Sequence, residues 1–144
     1  MTRLEYQQIY DVVGAAMEVH KILGRGMEEA IYQEALQMEL VERGISVERE
    51  KRLHLTYKEK TLKKTYLADF FCNGIIVELK STDCIVSDHR AQLFNYMRIT
   101  KVSRGLLINF GEKSLRAERY LYLPDIDDFV LLSQQNYKEY IEDL

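Results

Sequence analysis

Asn73-Gly74 lies between two apolar runs, Phe70-Phe71-Cys72 and Ile75-Ile76-Val77, and this placement dictates a tight β-hairpin. Both turn residues tolerate positive φ, which a two-residue loop needs if its twist is to match the strands it joins. Counting outward, Cys72 faces Ile75, Phe71 faces Ile76 and Phe70 faces Val77, which brings Asp69 opposite Glu78. Lys80 lies diagonally across from Asp69. Side-chain alternation then places Glu78, Lys80 and Asp69 on one face of otherwise apolar strands.

Two opposed carboxylates cost free energy. At an effective dielectric of about 20 and a separation of about 5 Å the repulsion is roughly 3 kcal/mol, whereas ordinary cross-strand pairs gain about 0.2–1 kcal/mol. At 7–8 Å, Lys80 offsets about 2 kcal/mol per carboxylate. A divalent cation removes the rest, and paired carboxylates suit Mg²⁺, which takes one or two of them and keeps several waters. A partly buried ion-pair cluster without metal fits the same residues, and hairpin geometry leaves both open.

The chain has 144 residues, 47% of them apolar and 30% charged, and is expected to form one domain across 1–144 with a sizeable core. No apolar run approaches the ~18 residues of a membrane span, and Met1-Thr2-Arg3-Leu4-Glu5 lacks the apolar stretch of a signal peptide. These features set a cytoplasmic expectation with no membrane partner. Cys72 and Cys84 are too few for a zinc ribbon or a disulfide framework, and Cys72 reads as a small core residue. The net charge of −3 argues against a strongly electrostatic nucleic-acid binder. Its distribution softens that argument. An acidic extension at about 124–144 carries −5, leaving +2 for residues 1–123. Lys58, Lys60, Lys63 and Lys64 flank one turn and Arg98, Lys101 and Arg104 follow a helix, so each group is a candidate basic face or plain solvated surface.

Thr2-Arg3-Leu4-Glu5 is a capping-box pattern, and Ile9, Val12, Val13, Ala16, Val19 and Leu23 recur at helical spacing behind it, predicting a helix over 3–22. Gly24-Arg25-Gly26 breaks it. A second helix is expected from about Glu28 to Arg43, with Ile31, Ala35, Leu36 and Leu40 inward and Gly44 as its stop. Ile45–Tyr57 and Thr61–Cys72 read as strands around a Lys58-Glu59-Lys60 turn. Ile75–Lys80 reads as a central strand buried on both faces. A third helix starts at Ser87-Asp88 and runs to about Thr100. Gly105–Phe110 is a strand parallel to Ile75–Lys80, because a helical crossover joins them. Arg119–Leu123 is the expected last strand, followed from about Asp127 by a helix containing Phe129, Leu132, Tyr137 and Ile141. The order α-α-β-β-β-α-β-β describes a mixed α/β (α+β) fold with helices covering a mixed sheet.

Asp69 and Glu78-Leu79-Lys80 on a hairpin followed by a helix and a strand resemble the PD-(D/E)XK nuclease superfamily. Gly26-Met27-Glu28-Glu29-Ala30-Ile31-Tyr32 is similar to the Gly-x-x-Glu-x-x-Tyr pattern of its GxxExxY branch. Gln92-Leu93-Phe94-Asn95-Tyr96 resembles the Gln-x-x-x-Tyr motif of RecB-type nucleases, and Leu106-Leu107-Ile108-Asn109-Phe110-Gly111 the strand that follows. The resemblance covers roughly residues 5–123. Two positions depart from it: Arg25 stands where the branch commonly has Pro, and Ala68 where the superfamily has Pro before the Asp, the latter usual in this branch.

The resemblance implies a restriction-endonuclease-like sheet and a nuclease that hydrolyses phosphodiester bonds of nucleic acid, DNA above all, with Mg²⁺ or Mn²⁺. Asp69 and Glu78 would hold the metal with the Leu79 backbone carbonyl, and Glu29 would add a carboxylate. Lys80 would orient the attacking water, while Gln92 and Tyr96 would bind substrate beside the scissile phosphate. Such a metal lowers the pKa of bound water and acts as a Lewis acid, and Lys80 is a compact cation. Gln92 and Tyr96, at i and i+4, share a helix face.

Each residue has a structural alternative. Glu29 suits a helix N-terminus as a surface charge, Tyr32 suits a core contact, and Gln92 with Tyr96 suits a hydrogen-bonded pair. His20 reads as capping or packing and His54 as a solvated strand position. His89, at the start of a helix, is a candidate phosphate contact, and Gly26 serves the turn. The alternative function is a catalytically silent nuclease-fold module that binds nucleic acid or a protein partner; a homodimer stays open.

Overall fold

A computed structural model describes residues 1–143. Helix α1 spans Arg3–Leu23 and α2 Glu29–Glu42. Strands β1 (Val47–Tyr57), β2 (Lys60–Cys72) and β3 (Ile75–Lys80) follow, then α3 (Ser87–Thr100), β4 (Arg104–Asn109), β5 (Arg116–Leu123) and β6 (Asp128–Leu131). The strands form one six-stranded sheet in sequential order. Among the described residues the β3–β4 pair alone is parallel, as the helical crossover between them requires. Helices α1 and α2 cover one face through a core that includes Ile9, Leu36, Phe70, Val77, Leu79 and Ile108. Helix α3 covers the other, where Leu93, Tyr96 and Met97 meet Leu53, Ala68, Ile76 and Leu107.

The local chemistry of each element agrees with its position. Thr2 caps α1: its Oγ1 accepts from Glu5 N at 3.1 Å and Glu5 Oε1 accepts from Thr2 N at 2.9 Å, which satisfies two free amides of the first turn. Asn73 and Gly74 both have positive φ, 51° and 76°, and the expected register of Cys72–Ile75, Phe71–Ile76 and Phe70–Val77 is the observed one. Strand β3 is buried from Ile75 to Leu79 and β4 throughout. Gly105 lets α3 sit close on the sheet, since a Cβ there would collide with Met97 Sδ.

Four local expectations are corrected. Ile31 is exposed, because Tyr32, Gln33, Leu36 and Leu40 form the buried face of α2 and Ile31 lies nearly half a turn from the middle of that face. The turn after β1 is Lys58-Glu59 alone, both with positive φ. Strand β5 begins at Arg116 rather than Arg119. The C-terminal segment is not an α-helix: Asp127 takes a left-handed conformation, Asp128–Leu131 pairs with the open edge of β5, and only Tyr137–Tyr140 makes a 3₁₀ turn. Phe129 there stacks on Phe94 of α3 (4.2 Å) and Tyr122 of β5 (4.7 Å). Edge pairing satisfies backbone groups that an exposed strand would leave unpaired.

Candidate active site

The end of the sheet that carries Asp69 and Glu78 is built by an irregularity. The β2–β3 ladder stops at Phe70–Val77, and the β1–β2 ladder skips the Glu50–Asp69 position. Glu50 carries a positive φ of 55° in mid-strand, a conformation that costs a non-glycine residue free energy. Phe70 faces the α1–α2 core while Ala68 faces the α3 core, so alternation breaks at Asp69. Freed from the ladder, Asp69 N donates to Glu78 Oε1 at 3.3 Å and Leu79 N donates to Asp69 Oδ2 at 2.7 Å. The two acids are locked into reciprocal backbone–carboxylate bonds at the point where the strands part.

Glu78 is 3% exposed, and Ile76, Glu78 and Lys80 point to the α3 side. Burial, and next the Asp69 charge, push the Glu78 carboxyl up to about 9. Among the described residues no lysine or arginine forms an ion pair with Asp69 or Glu78. Lys80 Nζ instead donates to Gln92 Oε1 at 3.3 Å, and Gln92 Nε2 donates to Tyr96 OH at 3.1 Å. Burial, and then the Glu78 charge, raise the Tyr96 phenol above its ordinary value. Asp69, Glu78, Lys80, Gln92 and Tyr96 are therefore brought together.

Glu29 stands apart. It is exposed at the first turn of α2, and no cluster of three or more metal-ligating side chains forms among the described residues. Two contacts nevertheless hold α2 and the loop before it against this end of the sheet. Gln33, one turn further along the same side of α2, places Nε2 3.5 Å from both Asp69 O and Asp69 Oδ1. Ser81 Oγ, next to Lys80, donates to Met27 O at 2.6 Å. Tyr32 is fully buried and stacks on Phe110 at 4.4 Å; its hydroxyl donates to Gly24 O and accepts from Met27 N. It locks the α1–α2 loop, as a core contact should.

Residues 6–120 match the family model described as the PD-(D/E)XK nuclease superfamily. The chain belongs to that superfamily. Its mixed sheet flanked by helices is the restriction-endonuclease-like fold, and members of this nuclease superfamily generally use divalent metals. No curated protein and no solved structure matches the chain significantly. Among the described residues, no helix is long and apolar enough to cross a membrane.

Other expected residues have structural employment. His89 Nδ1 accepts from Val86 N at 3.2 Å and so caps α3. His20 Nε2 contacts Glu112 O at 3.0 Å, His54 is exposed and Cys72 is buried. Of the two readings of Arg98, Lys101 and Arg104, a shared basic face is not the one that forms. Arg104 is buried, donating to Glu5 O, Gln8 Oε1 and Asn73 O, and Arg98 pairs with Asp127 at 2.9 Å.

Two supports escaped the sequence reading. Asn109 is fully buried at the end of β4; its Oδ1 accepts from Thr82 N and Gly111 N, and its Nδ2 donates to Thr82 O and Glu112 Oε2. It fixes the loop directly after Lys80. Glu118, 4% exposed on β5, accepts from Arg90 of α3, from Arg116 and from Tyr120. For Asn109 the available signal was a polar residue closing a buried, largely apolar strand; β5 is only partly buried and offers no such signal for Glu118.

Proposed function

We propose that this protein is a Mg²⁺- or Mn²⁺-dependent nuclease that hydrolyses phosphodiester bonds of DNA. The observation that carries the reading is the Asp69–Glu78 pair: two facing carboxyl groups, one deeply buried, held by backbone amides and neutralised by no ion pair among the described residues. A salt-bridge cluster would have spent Lys80 on the acids, but Lys80 reaches towards Gln92. A buried carboxyl pair that no ion pair engages, and whose second ionisation the site resists, suits a hard divalent ion that would draw off the proton and take both oxygens.

Asp69 and Glu78 would hold that ion with the Leu79 carbonyl, and Glu29 would approach from α2 to complete the set. The ion supplies Lewis acidity and a lowered pKa for bound water. The side chains do the rest. Lys80 holds its ammonium on the α3 side of β3 to orient the nucleophile and balance charge developing on the phosphoryl oxygens. Gln92 fixes Lys80 and Tyr96 in one hydrogen-bonded row, and this row would present donors to the scissile phosphate. Gln33 steadies Asp69 from α2.

The test is cleavage of plasmid and of single-stranded DNA with Mg²⁺, Mn²⁺ or EDTA. Wild-type protein cleaves with metal. Asp69→Asn, which keeps an acceptor for Leu79 N, loses more than about 100-fold, beyond the usual cost of an outer-shell change. Absence of metal-dependent cleavage by the wild type, or its persistence in Asp69→Asn, overturns the assignment.

A further inference from the structure

Strand β3 pairs with β2 only at residues 70–72, whereas β1 and β2 pair from residue 47 to residue 72. The distal part of the β1–β2 hairpin is therefore a two-stranded arm with no third strand. Such ribbons are marginal in water unless something backs them; here Leu53 and Ala68 pack towards α3. The arm nevertheless exposes Tyr57 (63%), Leu62 (44%) and Tyr66 (40%). Residues 51–68 carry a net charge of +5 in a chain of net −3. Folding alone gives no reason for this concentration of cations and exposed rings.

The inner face of the arm meets α3 across an open groove of about 580 Å³ lined in part by Leu55, Tyr66, Gln92, Asn95 and Tyr96. Gln92 and Tyr96 thus belong both to the groove and to the row that ends at Lys80. The Tyr66 ring lies 5.6 Å from the Tyr96 ring, and Lys64 Nζ sits 5.6 Å from the Tyr66 ring centre. The groove falls within the volume range of small-molecule sites, which suits individual bases and is far too small for a duplex.

We infer that this groove seats an unpaired nucleic-acid strand leading to the carboxylate pair, with a base stacked on Tyr66 and the flanking phosphate on Lys64. The inference rests on the nuclease reading and names its substrate as single-stranded. Stacking on an aromatic ring requires a base already out of the helix. It replaces a weak exposed cation–π contact and frees the Lys64 ammonium for phosphate. Asn95 and Asp88, which also line the groove, offer hydrogen-bonding groups to base edges. The remaining arm lysines supply the sequence-independent attraction that an acidic chain otherwise lacks.

The experiment is fluorescence anisotropy in EDTA with labelled oligothymidine and with its oligoadenosine duplex, so that binding is read without cleavage. Wild-type protein prefers the single strand. Tyr66→Ala weakens that binding about five-fold or more, in line with stacking worth about 1–3 kcal/mol per base, and Tyr66→Trp restores it. Lys64→Gln reduces the slope of log affinity against log salt by about 0.7, whereas Lys21→Gln, on α1 across the sheet, changes nothing. Unchanged affinity in Tyr66→Ala, failure of Trp to rescue, or preference for duplex overturns the groove. The two readings fail separately. Tyr66-dependent binding without metal-dependent cleavage sinks the nuclease and keeps the groove; cleavage with Tyr66-independent binding does the reverse.

Discussion

Arg90 grips Glu118 with both prongs of its guanidinium, Nε to Oε1 at 2.7 Å and Nη2 to Oε2 at 2.8 Å. The bond ties the first turn of α3 to β5. Because Gln92 lies two residues beyond Arg90, the grip also sets the height of the Gln92–Tyr96 row above Lys80. Bidentate pairing of this kind fixes direction as well as distance.

Stability should consequently fall in acid through Glu118. The Arg90 bonds, outweighing the cost of burial and helped by Tyr120, hold its carboxyl at about 2 against an ordinary 4.5. A depressed pKa means that the unfolded chain binds the proton first. The contribution is therefore complete above about 4.5 and drains away as pH falls towards about 2. It is on the order of 2–3 kcal/mol. Urea unfolding at pH 7 should show Glu118→Gln less stable than wild type by that amount, and the gap should close near pH 2. A gap that does not change with pH would assign the loss to packing instead.

Asn109 should prove as important as a core residue, although it is polar. Asn109→Ala leaves the half-buried amides of Thr82 and Gly111 without their side-chain acceptor, which costs about 2 kcal/mol for two such groups. The backbone it releases follows Lys80 directly. Urea unfolding should register the loss, and amide exchange at Thr82 and Gly111 should accelerate more than exchange elsewhere in the sheet. Uniform acceleration would mean that Asn109 supports global stability alone.

The hairpin was legible because register follows from counting once Asn73-Gly74 is a turn: the three pairs nearest the turn agree residue by residue, while the fourth expected pair, Asp69–Glu78, lies just past the point where the ladder stops. The Lys80–Gln92–Tyr96 row was legible in part, because i, i+4 spacing puts Gln92 and Tyr96 on one helix face. The break at Glu50–Asp69 was not. It needs a positive φ at a glutamate, and no local pattern announces that conformation. Gln33 escaped because its role depends on where α2 crosses β2, a tertiary fact. Arg104 misled for the converse reason: a cation after a helix reads as surface, yet three carbonyl-type acceptors satisfy it in the interior. The C-terminal strand was hidden because pairing to an open edge overrode helical spacing in Phe129–Ile141.

Metal binding and folding should separate cleanly at Glu78. Its burial beside Asp69 is unfavourable in the metal-free protein, since two acids share a site in which, among the described residues, no lysine or arginine forms an ion pair with either. Glu78→Gln keeps the size and the acceptor for Asp69 N but removes the titrating group. In EDTA its melting temperature should equal or exceed that of wild type. Manganese should raise the melting temperature of wild type, by the equivalent of about 2.7 kcal/mol at one hundred times the dissociation constant. The variant should respond far less. Differential scanning fluorimetry of both proteins across a Mn²⁺ series measures this directly. A variant that melts well below wild type in EDTA would make Glu78 a structural acid, and an equal manganese response in both would place the ion elsewhere.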